Sequence, residues 1–172
     1  MQVVFPKLDR LIIISLNIRK IWNDNPLSSS RFGFQNLTIV VVNNCDHLKG
    51  LIPSFMSASL VHLRHLHVTS CKAMKEIVFI EESAQVKGNN TSFPKLESLQ
   101  LYDLPNLERF CGGDCVDCPS LLKLTIIGCP KLRVFVTNNM PTTTAEKEDK
   151  NSKGSVDEQH LSHRKVILIC FS

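Results

Sequence analysis

Cys111, Cys115 and Cys118 fall within Cys-Gly-Gly-Asp-Cys-Val-Asp-Cys, and thiolates two to four residues apart are spaced to share one tetrahedral zinc ion. The spacing supplies only half a site, because no second pair of ligands lies at a comparable interval. Cys118 also stands before Pro119 where Phe5 and Phe93 stand before Pro6 and Pro94, so packing as a small apolar side chain accounts for it. His62, His65 and His67 are the next candidates, for metal ligation or as a pH-sensitive group. No carboxylate or thiol in their strand completes a ligand set. Neither a serine elbow nor a supported Cys-His-Asp order is present, so the reading is of no catalytic residues, no metal, no cofactor and no enzyme.

What positions these residues is an internal repeat. Five segments align on one template: Leu8-xx-Leu11-x-Ile13-xx-Leu16, Leu37-xx-Val40-x-Val42-xx-Cys45, Leu63-xx-Leu66-x-Val68-xx-Cys71, Leu96-xx-Leu99-x-Leu101-xx-Leu104 and Leu121-xx-Leu124-x-Ile126-xx-Cys129. Most continue with apolar residues three apart, as in Leu48 and Leu51, Met74 and Ile77, Leu107 and Phe110, and Leu132 and Phe135. The first departs from this, with Ile18 and Ile21 one residue early. This is the leucine-rich-repeat pattern. Its alternating core belongs to a short strand, whose period of two turns Leu99 and Leu101 inward and Ser98, Gln100 and Tyr102 outward. One strand per repeat stacks into a parallel sheet, and each repeat is stable only against its neighbours. Cys45, Cys71 and Cys129 occupy the strand-exit position, where a small buried thiol fits.

The expected fold is therefore an α/β leucine-rich-repeat solenoid: a curved parallel sheet with an irregular, 3₁₀ or short-helix convex side. Residues 1–136 form about five repeats, and 137–172 a disordered polar tail ending in a short apolar run. The tail reading rests on Thr142-Thr143-Thr144 and the mixed charges of 146–150, a composition that buries too little to offset its ordering entropy. The final Val166-Ile167-Leu168-Ile169-Cys170-Phe171 is apolar and strand-like, with no partner visible in the sequence. Residues 81–92, with Gly88-Asn89-Asn90, read as an exposed loop.

Composition narrows the function. The 20 basic and 16 acidic side chains leave a net charge of +4, too small and dispersed for a nucleic-acid surface. No run reaches the roughly 18 apolar residues of a membrane span, and the first residues lack a basic n-region and a long apolar core. The expected compartment is cytoplasmic, where seven cysteines without a secretion signal stay reduced.

The words Phe93-Pro-Lys-Leu-Glu-Ser-Leu-Gln-Leu-Tyr-Asp-Leu-Pro-Asn-Leu-Glu-Arg-Phe110 and Cys118-Pro-Ser-Leu-Leu-Lys-Leu-Thr-Ile-Ile-Gly-Cys-Pro-Lys-Leu-Arg-Val-Phe135 resemble the C-terminal leucine-rich region of plant coiled-coil nucleotide-binding disease-resistance proteins. The block from Ser59 to Val78 and the pair Ile21-Trp22 are similar to repeats of the same group, so the resemblance covers about residues 5–140. It implies a sensor and autoinhibitory region in plant defence, recognising a pathogen effector, a guarded host protein or the receptor's own nucleotide-binding domain. No phosphate-cradling G-x-x-x-x-G-K-[ST] loop and no coiled-coil heptads are present. The resemblance is thus to a fragment, a truncated member or a free-standing remnant.

Repeat proteins usually bind partners along the outward strand positions of the concave face. By template these are Arg10, Ile12 and Ile14; Ile39, Val41 and Asn43; His65, His67 and Thr69; Ser98, Gln100 and Tyr102; and Lys123, Thr125 and Ile127. Two alternatives come from other readings. Leu48-Lys-Gly-Leu-Ile-Pro53 fits a word of extracellular plant repeats, and Asn36, Asn89 and Asn90 begin glycosylation sequons, so a receptor ectodomain is one. A non-functional remnant is the other.

Overall fold

The computed structural model describes residues 7–22, 34–57, 59–80, 91–112 and 116–133, and the backbone of 166–170. The five template strands are β1 (Arg10–Ile14), β2 (Ile39–Asn43), β4 (His65–Thr69), β7 (Ser98–Tyr102) and β10 (Lys123–Ile127). They stack in parallel and in template register: Ile13 pairs Val42, Val42 pairs Val68, Val68 pairs Leu101, and Leu101 pairs Ile126. The alternation of the sequence becomes the alternation of the sheet. Leu66, Val68, Leu99 and Leu101 are fully buried, while the residues that alternate with them, His65, His67 and Thr69 on β4 and Ser98, Gln100 and Tyr102 on β7, face the concave side.

Each repeat leaves its strand through the same backbone device. Ser15, Asn44, Ser70, Asp103 and Gly128 stand seven residues after the first template leucine, and all five have φ between 49° and 67°. That left-handed turn drives the chain out of the sheet plane, and four of the five accept its strain without being glycine. The turn is bonded sideways to the next repeat. Asn44 N–H donates to Thr69 O (3.0 Å), Ser70 N–H to Tyr102 O (3.0 Å) and Asp103 N–H to Ile127 O (2.9 Å). The following residue then points inward, and Cys45, Cys71 and Cys129 are buried with their thiols turned to the carbonyls of Asn43, Thr69 and Ile127. Proline closes the tight turns on either side. Leu96 N–H returns to Phe93 O across Pro94, and Leu107 N–H to Leu104 O across Pro105, with proline fixing the φ that the turn's second residue needs.

The return side is more regular than the irregular segments expected of it. β3 (Gly50–Pro53), β5 (Glu76–Phe79) and β8 (Arg109–Cys111) form a second parallel ladder, and β6 (Thr91–Ser92) pairs β9 (Val116–Asp117). A 3₁₀ turn over Phe34–Asn36 and one helical turn, α1 (Ser54–Ser57), complete it. The three-by-three apolar residues make this possible: Leu51, Ile77 and Phe110 are buried between the two ladders, so the return segments stack in step with the sheet. Thr91 and Ser92, expected within a loop, belong to β6, and Thr91 is buried; residues 81–90 lie outside the described ones. The irregular first repeat is fixed by Trp22, whose Nε1–H donates to Leu51 O and whose ring meets Phe34 edge-on at 4.9 Å.

The terminal apolar run has a partner after all. β11 (Val166–Cys170) pairs β10 in parallel, with Thr125 opposite Leu168, and becomes the sixth strand of the concave sheet. Its Ile167 and Ile169 take the register of Leu124 and Ile126. The polar tail of 137–165 and the boundary at 136 lie outside the described residues.

Candidate protein-binding face

The parallel register lines the outward side chains into three files. The central one runs Ile12, Val41, His67, Gln100, Thr125, each opposite the next. Beside it run Arg10, Ile39, His65, Ser98, Lys123 on one flank and Ile14, Asn43, Thr69, Tyr102, Ile127 on the other. The structure brings all the sequence-predicted positions onto one surface. Exposure along it is uneven. Ile12 and Ile14 are 58% and 56% exposed because β1 is an edge strand with one neighbour, whereas Ile39 and Val41 are half-buried between β1 and β4.

Thr125 is a correction. It was expected to face outward and open, yet it is 6% exposed, because β11 flanks β10 on the side away from β7. Its side chain is short, so a strand on each side shields it, whereas the longer His67 and Gln100, also between two strands, stay half-exposed.

The centre of the face is a small polar and aromatic cluster. His67 Nε2 lies 2.8 Å from Thr69 Oγ1, and the His67 ring meets Tyr102 edge-on at 5.6 Å between centroids. Gln100 Nε2 donates to Ser98 Oγ at 3.2 Å on the next strand. Partial burial, and then the positive charge of Lys123, hold the His67 imidazole below its ordinary pKa. His62 does not join the group, since its Nδ1–H donates to Gln35 O (2.8 Å) at the preceding turn. Two of the three histidines therefore share the face, and the third braces two repeats.

Charge on the face is one-sided. Three outward positions from each of the five template strands include Arg10, Lys123 and two histidines, but no aspartate or glutamate. The carboxylates that flank these strands in sequence include Glu97, which pairs with Arg64 at 3.2 Å, Asp9, which lies 3.9 Å from Arg10 of the face itself, and Asp103, which stands in the left-handed turn after Tyr102. Sequence reasoning gave the files, but it missed Lys123 acting on His67 and the strand that covers Thr125.

The cysteine triplet does not present itself as one site. Cys118 is buried and Cys111 half-buried beside Thr91, with 3.5 Å between Cys111 Sγ and Thr91 Oγ1, while Cys115 lies outside the described residues. Among the described residues no group of three or more His, Cys, Asp or Glu side chains is arranged to hold a metal ion. None of the described helices is long and apolar enough to cross a membrane.

Against known proteins, residues 7–145 match the family model described as plant disease resistance protein RPS2-like, leucine-rich repeats. The chain belongs to this family. Three Arabidopsis thaliana proteins illustrate its relatives. Probable disease resistance protein At4g27220 is 28% identical over 79% of this chain and 15% of its own length. Probable disease resistance protein At1g61190 is 31% identical over 61% of this chain and 10% of its own. Disease resistance protein UNI is 30% identical over 66% of this chain and 12% of its own. The matched region thus spans between a tenth and a seventh of these relatives. No solved structure matches. The RPS2-like repeats account for the parallel solenoid, and they place the chain among plant defence proteins that carry leucine-rich repeats.

Proposed function

We propose that this RPS2-like repeat array is a non-catalytic protein-binding module. It acts as the sensor and autoinhibitory region of an intracellular plant immune receptor. Its concave face receives the partner, which is a pathogen effector, a guarded host protein or a nucleotide-binding domain of the receptor type. The reading is carried by one observation: an open face of five registered strands with an exposed Ile12 and Ile14, a His67–Thr69–Tyr102 centre, and no carboxylate. Such a face fits a partner surface that is apolar at one end and acidic at the other. The module binds neither nucleic acid nor membrane and works in the cytoplasm.

The test compares proteins cross-linked to the full chain in plant cytosol with those cross-linked to a His67→Ala, Gln100→Ala, Tyr102→Ala triple variant. All three side chains are half-buried on the open face, so the variant should keep the far-ultraviolet spectrum of the parent. Loss of the cross-linked partner with the fold intact supports the concave face. Every partner retained would sink it.

A further inference from the structure

On the return side, away from the concave face, the repeats place like charges side by side. Counting twelve residues from the first template leucine gives Lys20, Lys49, Lys75, Glu108 and Arg133 in successive repeats. The first repeat runs one residue early, which brings Arg19 beside Lys20 at the same place. Lys75 N–H donates to Lys49 O at 2.8 Å, so these two lysines sit side by side at the entries to β3 and β5, whose parallel strands are spaced about 4.8 Å apart. Like charges directly opposite one another are unfavourable unless something negative lies between them. Further along, the ladder answers its charges: Arg109 Nε lies 2.8 Å from Glu76 Oε1. Arg19, Lys49 and Lys75 have no such partner among the described residues.

These cations surround a cleft of about 360 Å³ lined by Arg19, Lys20, Lys49, Gly50, Lys75, Glu76 and Phe79. The one carboxylate among its described lining residues, Glu76, is already paired with Arg109. Its floor is aromatic. Phe79 lies across Gly50 so closely that a Cβ there would stand 2.6 Å from Phe79 Cδ1, and the missing side chain leaves the ring reachable from the cleft. A cavity of this size suits a small molecule rather than a protein loop. Arg19, Lys49 and Lys75 around a mostly apolar lining suit a ligand that carries several negative charges beside a flat or apolar face.

We propose that this cleft binds a small polyanion with two or more phosphate groups attached to a ring-bearing body. Lys49, Lys75 and Arg19 hold the phosphates, and Phe79 packs against the body. The proposal stands apart from the concave-face reading, because no residue is shared between the two surfaces.

Calorimetric titration of the full chain with inorganic pyrophosphate and with ATP, at about 0.1 M salt, tests it. Both probes should bind saturably at one site, ATP the more tightly. A Lys49→Gln, Lys75→Gln double variant should weaken both by about tenfold or more, since each lysine supplies a charge-assisted contact, while the thermal unfolding midpoint stays put. A Lys95→Gln, Lys131→Gln variant removes the same charge away from the cleft and should bind as the parent does. Phe79→Leu should weaken ATP and spare pyrophosphate. Absence of saturable heat with both probes would overturn the site, as would equal weakening by the two double variants. ATP binding indifferent to Phe79→Leu would overturn the aromatic floor.

Discussion

His67 Nε2 stands 2.8 Å from Thr69 Oγ1, two residues along the same face of β4. The period of two that sends both side chains outward also brings them together, and Tyr102 on β7 closes over the imidazole at 5.6 Å. In the neutral ring Nε2 can accept the Thr69 hydroxyl proton, whereas a protonated ring must donate to it. Partial burial works against the charged form, and Lys123 adds to it. His67 should therefore titrate below its ordinary value of 6.5 in a nuclear magnetic resonance titration. Lys123→Gln should raise that value only partly, because burial is the larger cause. The linked stability has a definite sign. With the folded value depressed, the unfolded chain takes the proton first, so the contribution is complete above 6.5 and is lost as pH falls through 6.5 towards the folded value. His67→Gln should flatten that part of the stability profile. A His67 titration at or above 6.5 would contradict the burial.

Leu99 is the second template leucine of the fourth repeat and has no solvent exposure. It pairs Leu66 on one side and Leu124 on the other, so a smaller side chain leaves a cavity that neither strand can fill by moving alone. Leu99→Ala should cost about 2–5 kcal/mol in chemical denaturation. Leu122→Ala, at an exposed position two residues before the buried Leu124, should change stability by less than about 0.5 kcal/mol. Equal effects would mean that the template does not separate inside from outside.

Gly128 closes the fifth strand with φ of 67°, and a Cβ there would stand 2.6 Å from Asp103 Oδ1. Serine, asparagine and aspartate tolerate the same conformation in the other four repeats, so the backbone alone does not require glycine. The neighbour does. Gly128→Ala should destabilise by about 1–3 kcal/mol, the strain of a left-handed alanine plus a displaced Asp103. Asp103→Gly together with Gly128→Ala should recover the steric part, which thermal unfolding of the three variants would measure.

Much of this architecture is legible in the residues, and the legible part has a common physical origin. Leu66 and Val68 report the strand through a period of two, and that period fixes which side chains share the concave face. What the residues hide depends on neighbours distant in sequence. Thr125 looks like His67 or Gln100 within its own repeat, yet it is buried where they are half-buried, on a strand whose outer neighbour, Val166–Cys170, lies about forty residues further along the chain. A signal for that pairing exists: Ile167 and Ile169 repeat the inward pair of the template, although Arg164 stands where Leu121 would require an apolar residue. The second ladder through Gly50, Glu76 and Arg109 was hidden for a different reason. Its short strands carry apolar residues three apart, a spacing that does not distinguish a strand from a turn.

The thiols should divide by burial. Cys71 is fully buried, and loss of solvent pushes its pKa up to about 11; Cys129 is shifted in the same direction for the same reason. Only thiolate reacts, so at pH 8 neither should be alkylated in the native protein. Cys111, half-buried, is the described thiol that should react first. Peptide mapping after brief iodoacetamide treatment, with and without denaturant, distinguishes the two classes. Native labelling of Cys71 at the rate of Cys111 would show that the strand-exit turn opens readily.

The sixth strand should act as a cover. Without Val166–Cys170, β10 presents a row of unpaired backbone groups and an uncovered Thr125, the kind of sheet edge that recruits another chain. Ending the chain after residue 165 should therefore speed amide exchange across Lys123–Ile127, lower the unfolding midpoint, and increase self-association in sedimentation. Substituting Leu168→Pro in the full-length chain makes a sharper test, since proline removes a donor from the paired strand while changing one residue. If both variants exchange and sediment like the parent, β10 is protected by its own repeat. If both loosen β10 and leave β4 and β7 unchanged, the terminal run closes the end of the solenoid that it was too short to extend.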